Sequence, residues 1–460
     1  MGCSHSLGRL AAVGITPRGA ERQSPRSRSQ PYILSVQTPA LTFTPFTFPA
    51  TVTPLETGLT VVHHHMPATP VVVADVWVDA GAALEPVEWM GMAHFLEHMV
   101  FKGTQRLRPG MFDYAIETQG GFSNAATSHD YAHFYMALAA EALPTALPDL
   151  AELVLQAAIP DAEFGRERQV VLEEIRQAQD DPDWIAFQAL SEQVFPDHAY
   201  GRPVLGTAEV LLQRSPAEMR RFHQTHYQPA SMTVVVTGGI ALEPTLDLVR
   251  QTFRSFPPPA SRPTRQTGQI QPWWGVRRQV LRVPRLEQAR LLMAWVGPGA
   301  DDLNAACGMD ILATLLAEGR SARLVRELRE ERQWVLDIGG SFSLQRDCSL
   351  FMLQAWLEPD RVDAVEALIC DRLSTLALQP VSPAELERAQ RLLINDFAFS
   401  TETPGQLAGL YGYYDVVASA AESYSYPTRI QAHTPTSMTT LAKSFLSPNA
   451  YASTILLPTA

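Results

Sequence analysis

The sequence predicts an α+β fold made of two tandem homologous α/β-sandwich domains, and three observations predict it. The first is an internal repeat: Val76 to Gly103 reads alongside Ala294 to Gly319 with one gap, setting Trp77 on Trp295, Gly81 on Gly299 and Gly91-Met92 on Gly308-Met309. The second is that each half closes on a similar strand rich in β-branched and aliphatic residues, PASMTVVVTGG from Pro229 and PNAYASTILLP from Pro448. The third is that strands come in runs with helical stretches segregated around them.

In chain order, residues 1–40 read as a disordered or dispensable extension. Five of its first 30 residues are arginine and only Glu21 is acidic, a composition like that of an organelle transit peptide, and a start codon assigned too early accounts for it as well. Residues 41–252 form the first domain. Within it, His63-His64-His65 follows the apolar run Leu59 to Val62 and reads as a solvated strand end rather than a metal tract. Helices are expected at Ala142 to Ala158, Pro160 to Gln179 and Ser215 to His226. Residues 253–274 are Pro-rich and flanked by aromatics, the composition of a linker. Residues 275–460 form the second domain, with a helix expected at Arg361 to Leu378.

Composition narrows the function. A net charge of -12 and pI near 5.5 exclude a nucleic-acid binder, which needs a basic face, and no apolar run is long enough to span a membrane. A bacterial cytoplasmic location fits this composition, with organelle import as the alternative from the N-terminus. Four cysteines without C-x-x-C spacing are expected to be reduced thiols.

The stretch GMAHFLEHMVFKGT, Gly91 to Thr104, places His94, Glu97 and His98 at the spacing H-x-x-E-H. On a helix, positions i, i+3 and i+4 project from one face, so His94 and His98 can share an ion while Glu97 leans over it. Two imidazoles and a carboxylate form a catalytic zinc set, and a carboxylate that is not a ligand can take a proton from water. The order is that of an inverted zincin.

A third ligand is expected from the helix Pro160 to Gln179, whose apolar positions are Val170, Val171, Leu172 and Ile175. Glu167 and Glu174 lie two turns apart on one face, and Glu173 is rotated by about 100° from Glu174. If that face looks at the metal, Glu174 is the ligand and Glu167 a supporting or substrate-side acid.

These residues resemble the pitrilysin, insulin-degrading and mitochondrial processing peptidase family, especially its short two-domain bacterial members. That family has a glutamate ligand about 76 residues after H-x-x-E-H and another glutamate seven before it; His98 to Glu174 is 76 positions, and Glu167 stands seven earlier. The resemblance therefore selects Glu174 over Glu173, and implies one Zn2+ per chain, Glu97 as general base and Glu167 as an assisting catalytic acid. It also implies a clam-shaped chamber on dimerisation and a peptide substrate. GGFSNAAT, Gly120 to Thr127, resembles the edge strand that pairs with the substrate backbone through Asn124, Ala125 and Ala126, and Phe101 resembles the aromatic of a side-chain pocket. HAYGRPVLGT, His198 to Thr207, is similar to another family stretch but implies no chemistry.

The second half departs from the pattern. His94, Glu97 and His98 meet Ile311, Thr314 and Leu315, so that repeat is expected to hold no metal. Members that act alone carry an arginine followed seven residues later by a tyrosine, which bind substrate; here Arg329 is followed by Leu336. Leucine donates no hydrogen bond to an oxyanion. The expectation is a zinc metalloendopeptidase whose arginine and tyrosine come from a paralogous partner in a heterodimer, with a homodimer as the second option. A weakly catalytic or non-catalytic core subunit of a larger complex is the alternative function.

Overall fold

The computed structural model describes residues 47–255, 274–284 and 286–459, so the expected extension 1–40 and most of the linker lie outside the described residues. The six strands of the first sheet are β1 (Thr51–Pro54), β2 (Thr60–His65), β3 (Val71–Val78), β4 (Phe122–Thr127), β5 (Ala132–Ala139) and β6 (Met232–Gly238). Their order is β1-β2-β6-β3-β5-β4, and all neighbours are antiparallel except β2 and β6. The second sheet comprises β7 (Val276–Val283), β8 (Ala289–Gly297), β9 (Val335–Ser343), β10 (Ser349–Leu357) and β11 (Tyr451–Pro458), in the order β7-β11-β8-β10-β9. Only β7 and β11 run parallel there. Removing β1 makes the two topologies identical, which establishes the duplicated α+β fold.

Six helices build the site and join the two halves: α1 (Met92–Val100), α2 (Asp161–Asp180), α3 (Pro182–Val194), α4 (Leu303–Ala317), α5 (Pro383–Phe399) and α6 (Pro404–Val417). Helix α2 starts after the extended Pro160 with Asp161 and Glu163 in its first turn, where acids interact favourably with exposed N–H groups. Its Val171 and Ile175 join Phe95, Leu96 and Met99 of α1 over Val72, Ala74, Val76 and Val78 of β3. Each such side chain contributes roughly 1.5–3 kcal/mol by leaving water. Val170, expected among the apolar positions, is 52% exposed.

Each half covers the far side of the other's sheet. Leu407, Ala408, Leu410 and Tyr411 of α6 pack on Val62, Val73, Trp77 and Val235 of the first sheet. Reciprocally, Ala186, Leu190 and Val194 of α3 pack on Leu292, Ala294, Leu350 and Leu456 of the second. Polar ties pin both contacts: Thr233 Oγ1 donates to Asp415 Oδ2 at 2.6 Å, and Gln193 Nε2 donates to Thr454 Oγ1 at 2.7 Å. Gly412 is required here, because a Cβ would fall 2.0 Å from Trp77 Nε1.

Two expectations need correction. Trp77 and Trp295 are not equivalent: Trp77 faces α6, whereas Trp295 faces its own half's helices. Strand side chains alternate, so the two tryptophans differ in register by an odd number of residues. Gly81 and Gly299 do correspond, each preceding a single helical turn at ψ near -170°. The histidine tract is also less solvated than expected. His63 is 3% exposed and donates from Nε2 to the Ile240 carbonyl, and His64 Nδ1 lies 2.8 Å from the Tyr411 hydroxyl.

Candidate metal centre

Helix α1 forms from a run of apolar residues and two histidines, entered through Gly91 at φ +89°. A side chain at Gly91 would meet the Leu205 carbonyl at 2.7 Å, so glycine satisfies both the left-handed backbone and the close approach. One helical turn separates His94 and His98, whose ring centroids are 4.9 Å apart. Packing of α2 on α1 then brings Glu174 to both: its Oε2 lies 3.7 Å from His94 Nε2 and 3.5 Å from His98 Nε2.

Among the described residues this trio is the one His/Cys/Asp/Glu group with metal-ligand geometry, its donor atoms lying within 4.8 Å of one another. Ligand atoms about 2.1 Å from a tetrahedral zinc sit roughly 3.4 Å apart, so the two carboxylate-to-imidazole distances fit the ion. His98 donates from Nδ1 to Glu167 Oε1 at 2.9 Å, which leaves Nε2 facing the site. Lys102 Nζ holds the other Glu167 oxygen at 2.7 Å. Glu167 thus fixes the orientation of the His98 ring. His94 has no such support, since its Nδ1 is buried without a hydrogen-bond partner among the described residues.

Electrostatics follow from burial and these contacts. Burial lowers His94 to about 4, with His98 adding to the effect. Burial also opposes a charge on His98, but hydrogen bonds to Glu167 and Glu174 outweigh it and raise that group to about 9. The His98 hydrogen bond holds Glu174 below the usual carboxylate range. Glu97 is pushed up by burial, a rise partly offset by Thr127, whose Oγ1 donates to Glu97 Oε2 at 2.5 Å. A carboxylate with a raised pKa beside a metal-ligand trio is suited to exchanging a proton with water.

Residues 60–208 match the family model described as insulinase (peptidase family M16), and residues 215–393 match the one described as peptidase M16 inactive domain. A Mycobacterium leprae protein named an uncharacterized zinc protease is 31% identical over 343 residues, covering 74% of this chain and 76% of that protein. The chain belongs to peptidase family M16. A Streptomyces coelicolor protein, also named an uncharacterized zinc protease, is 28% identical over 363 residues, 78% of this chain and 79% of its own. In fold, this M16 chain is similar to a protease from Helicobacter pylori, with TM-score 0.84 and 24% identity over 89% of this chain and 99% of that one. A structure of a peptidase M16 inactive domain from Pseudomonas fluorescens gives TM-score 0.81 and 18% identity, covering 90% and 99%.

Substrate-side residues expected from the M16 resemblance fall in three places. Asn124, Ala125 and Ala126 lie on β4, the edge of the first sheet. The Ala125 N–H donates to Asn124 Oδ1 at 2.9 Å rather than to β5, so this amide points to the open edge. Phe101 ends α1 with its ring 6.0 Å from Phe134 and 6.4 Å from Phe112, half-buried on the core. Arg329 lies in the second half, donating to Glu330 and Asp337; Leu336 beside it is 53% exposed on edge strand β9. Cys307 and Cys348 are buried free thiols and Cys370 is a half-buried one.

Sequence reasoning missed Thr127, Lys102 and Glu85. Thr127 ends the very strand singled out for substrate pairing, so its reach to Glu97 links the two motifs. Lys102 stands four residues after His98, one turn further along the same face, a signal that was available.

Proposed function

We propose that the chain is a zinc-dependent metalloendopeptidase that cleaves peptides or unfolded segments in an enclosed chamber. The observation that carries this reading is the convergence of His94, His98 and Glu174, with Glu97 tied to the end of β4 by Thr127. A zinc ion held by that trio would polarise the scissile carbonyl and acidify water. Glu97 accepts the proton of the attacking water and returns it to the leaving amine. Thr127 aims the accepting carboxylate, and Glu167 keeps His98 in the tautomer that offers Nε2 to the site.

A substrate in extended form adds to the free edge of β4, where the Ala125 amide exchanges its bond to Asn124 for one to the peptide backbone. Recognition of this kind reads backbone rather than sequence. Phe101 borders the pocket for a side chain next to the cleaved bond. Since Leu336 cannot donate to an oxyanion, the arginine and tyrosine come from a paralogous partner that completes the chamber.

Glu97→Gln tests the chemistry: zinc content stays at wild-type level while cleavage of a peptide library falls to background. Retained cleavage removes Glu97 as the base. Full-rate cleavage by the purified chain alone, as monomer or homodimer, overturns the division of labour with a paralogue.

A further inference from the structure

Helix α1 has only nine residues and begins at a glycine, which offers no side chain to cap it. The first N–H groups of a helix lack intrahelical partners and need an outside acceptor when buried. Glu85 supplies it: Oε2 accepts from the Gly91 N–H at 2.9 Å and Oε1 from the Ala93 N–H at 2.5 Å. The carboxylate is 4% exposed, and Arg202 Nη1 donates to the Glu85 carbonyl at 2.9 Å. His129 Nε2 in turn donates to the Arg202 carbonyl at 2.9 Å, and Gly206 packs backbone to backbone on Gly91. The loop of residues 198–207, with no chemistry of its own, thereby backs the start of the metal-bearing helix.

We propose that Glu85, backed by Arg202, is a positioning residue for the metal centre, fixing the first turn of α1 and with it the placement of His94. The asymmetry between the two histidines carries the argument. His98 is oriented by Glu167 through its own side chain, whereas His94 Nδ1 has no partner among the described residues. The His94 ring is therefore aimed by the backbone that bears it, and Ala93, the residue before it, is one of the two that Glu85 grips. Two hydrogen bonds from one carboxyl group to the first N–H groups of a helix fix its direction, as this duty requires.

The proposal rests on the reading of this site as a zinc centre. The test is Glu85→Gln in the full chain, which keeps one acceptor oxygen and turns an N–H toward the other donor. The zinc dissociation constant, measured by chelator competition, rises roughly tenfold or more. The visible spectrum of the cobalt-substituted protein changes, and kcat falls while KM stays within about twofold. Arg202→Met, which leaves the carboxylate in place, shifts zinc affinity and spectrum in the same direction by less. A folded Glu85→Gln protein with wild-type zinc affinity and cobalt spectrum overturns the proposal, even if its melting temperature drops. Should that variant fail to fold, wild-type affinity and spectrum in Arg202→Met overturn it instead. A wild-type chain that binds zinc but cleaves no peptide even with its paralogous partner present refutes the peptidase reading, and the affinity comparison still decides the role of Glu85.

Discussion

The two halves use the same helix pair over the same sheet for opposite ends. In the first, α2 delivers Glu174 to two imidazoles on α1. In the second, the residues aligned with His94, Glu97 and His98 are Ile311, Thr314 and Leu315, all buried in α4. Helix α5 there sends Arg388 to the carbonyls of Glu318 and Thr314. Carboxylates raised by burial stand in the first half, alongside lowered ones such as Glu174. Burial raises Glu97, and raises Glu85 to about 8, in the first half. Arg372 lowers Glu327 to about 2 and Arg323 does the same to Glu385 in the second. The scaffold therefore stands without a metal. Buried polar groups in the first half carry a desolvation cost, and the second half gives the same positions to packing.

The comparison breaks most sharply at a ligand. His98→Ala should leave the fold intact while zinc content drops to near zero and peptide cleavage to background, by metal analysis and a fluorogenic assay. A smaller loss is expected at the residue that aims a ligand: Glu167→Gln should weaken zinc binding roughly 10–100-fold, read by chelator competition. The corresponding change in the second half should touch stability alone. Leu315→Ala, the counterpart of His98→Ala, should cost about 2–5 kcal/mol in denaturant unfolding and leave zinc affinity unchanged. The smallest effect concerns pH. A depressed Glu327 adds stability that is complete above its unfolded value near 4.5 and is lost as pH falls toward 2. Glu327→Gln should lower the melting temperature at pH 7 by about 2–4 °C, roughly 1 kcal/mol after screening, and flatten that acid loss.

Legibility in the sequence tracked the range of the contacts. His94, Glu97 and His98 were readable because one helical turn joins them, and Glu174 because a heptad put it on the face of Glu167; choosing it over Glu173 took the family spacing. What Glu167 grips was not readable from its own helix, since His98 lies on α1 and Lys102 in the turn that follows it. Glu85 was hidden for a different reason. It contacts α1 at Gly91 and Ala93 only because two short turns fold the chain back, and no periodicity marks that. The exchange of α3 and α6 between halves was equally out of reach in detail, because it joins residues such as Leu190 and Leu456. One signal did exist: β3 is buried along both faces from Val72 to Val78, which requires a cover on each side. The tryptophan pairing misled because a match in residue type outweighed strand alternation.

The central claim is that one metal sits in the first half on His94, His98 and Glu174, with nothing comparable in the second. Zinc content and X-ray absorption of the wild-type chain and of Glu174→Gln test it directly. The account predicts one zinc per wild-type chain, bound by two imidazoles and a carboxylate, and its loss in the variant. Full zinc occupancy in Glu174→Gln with an unchanged absorption spectrum would contradict it.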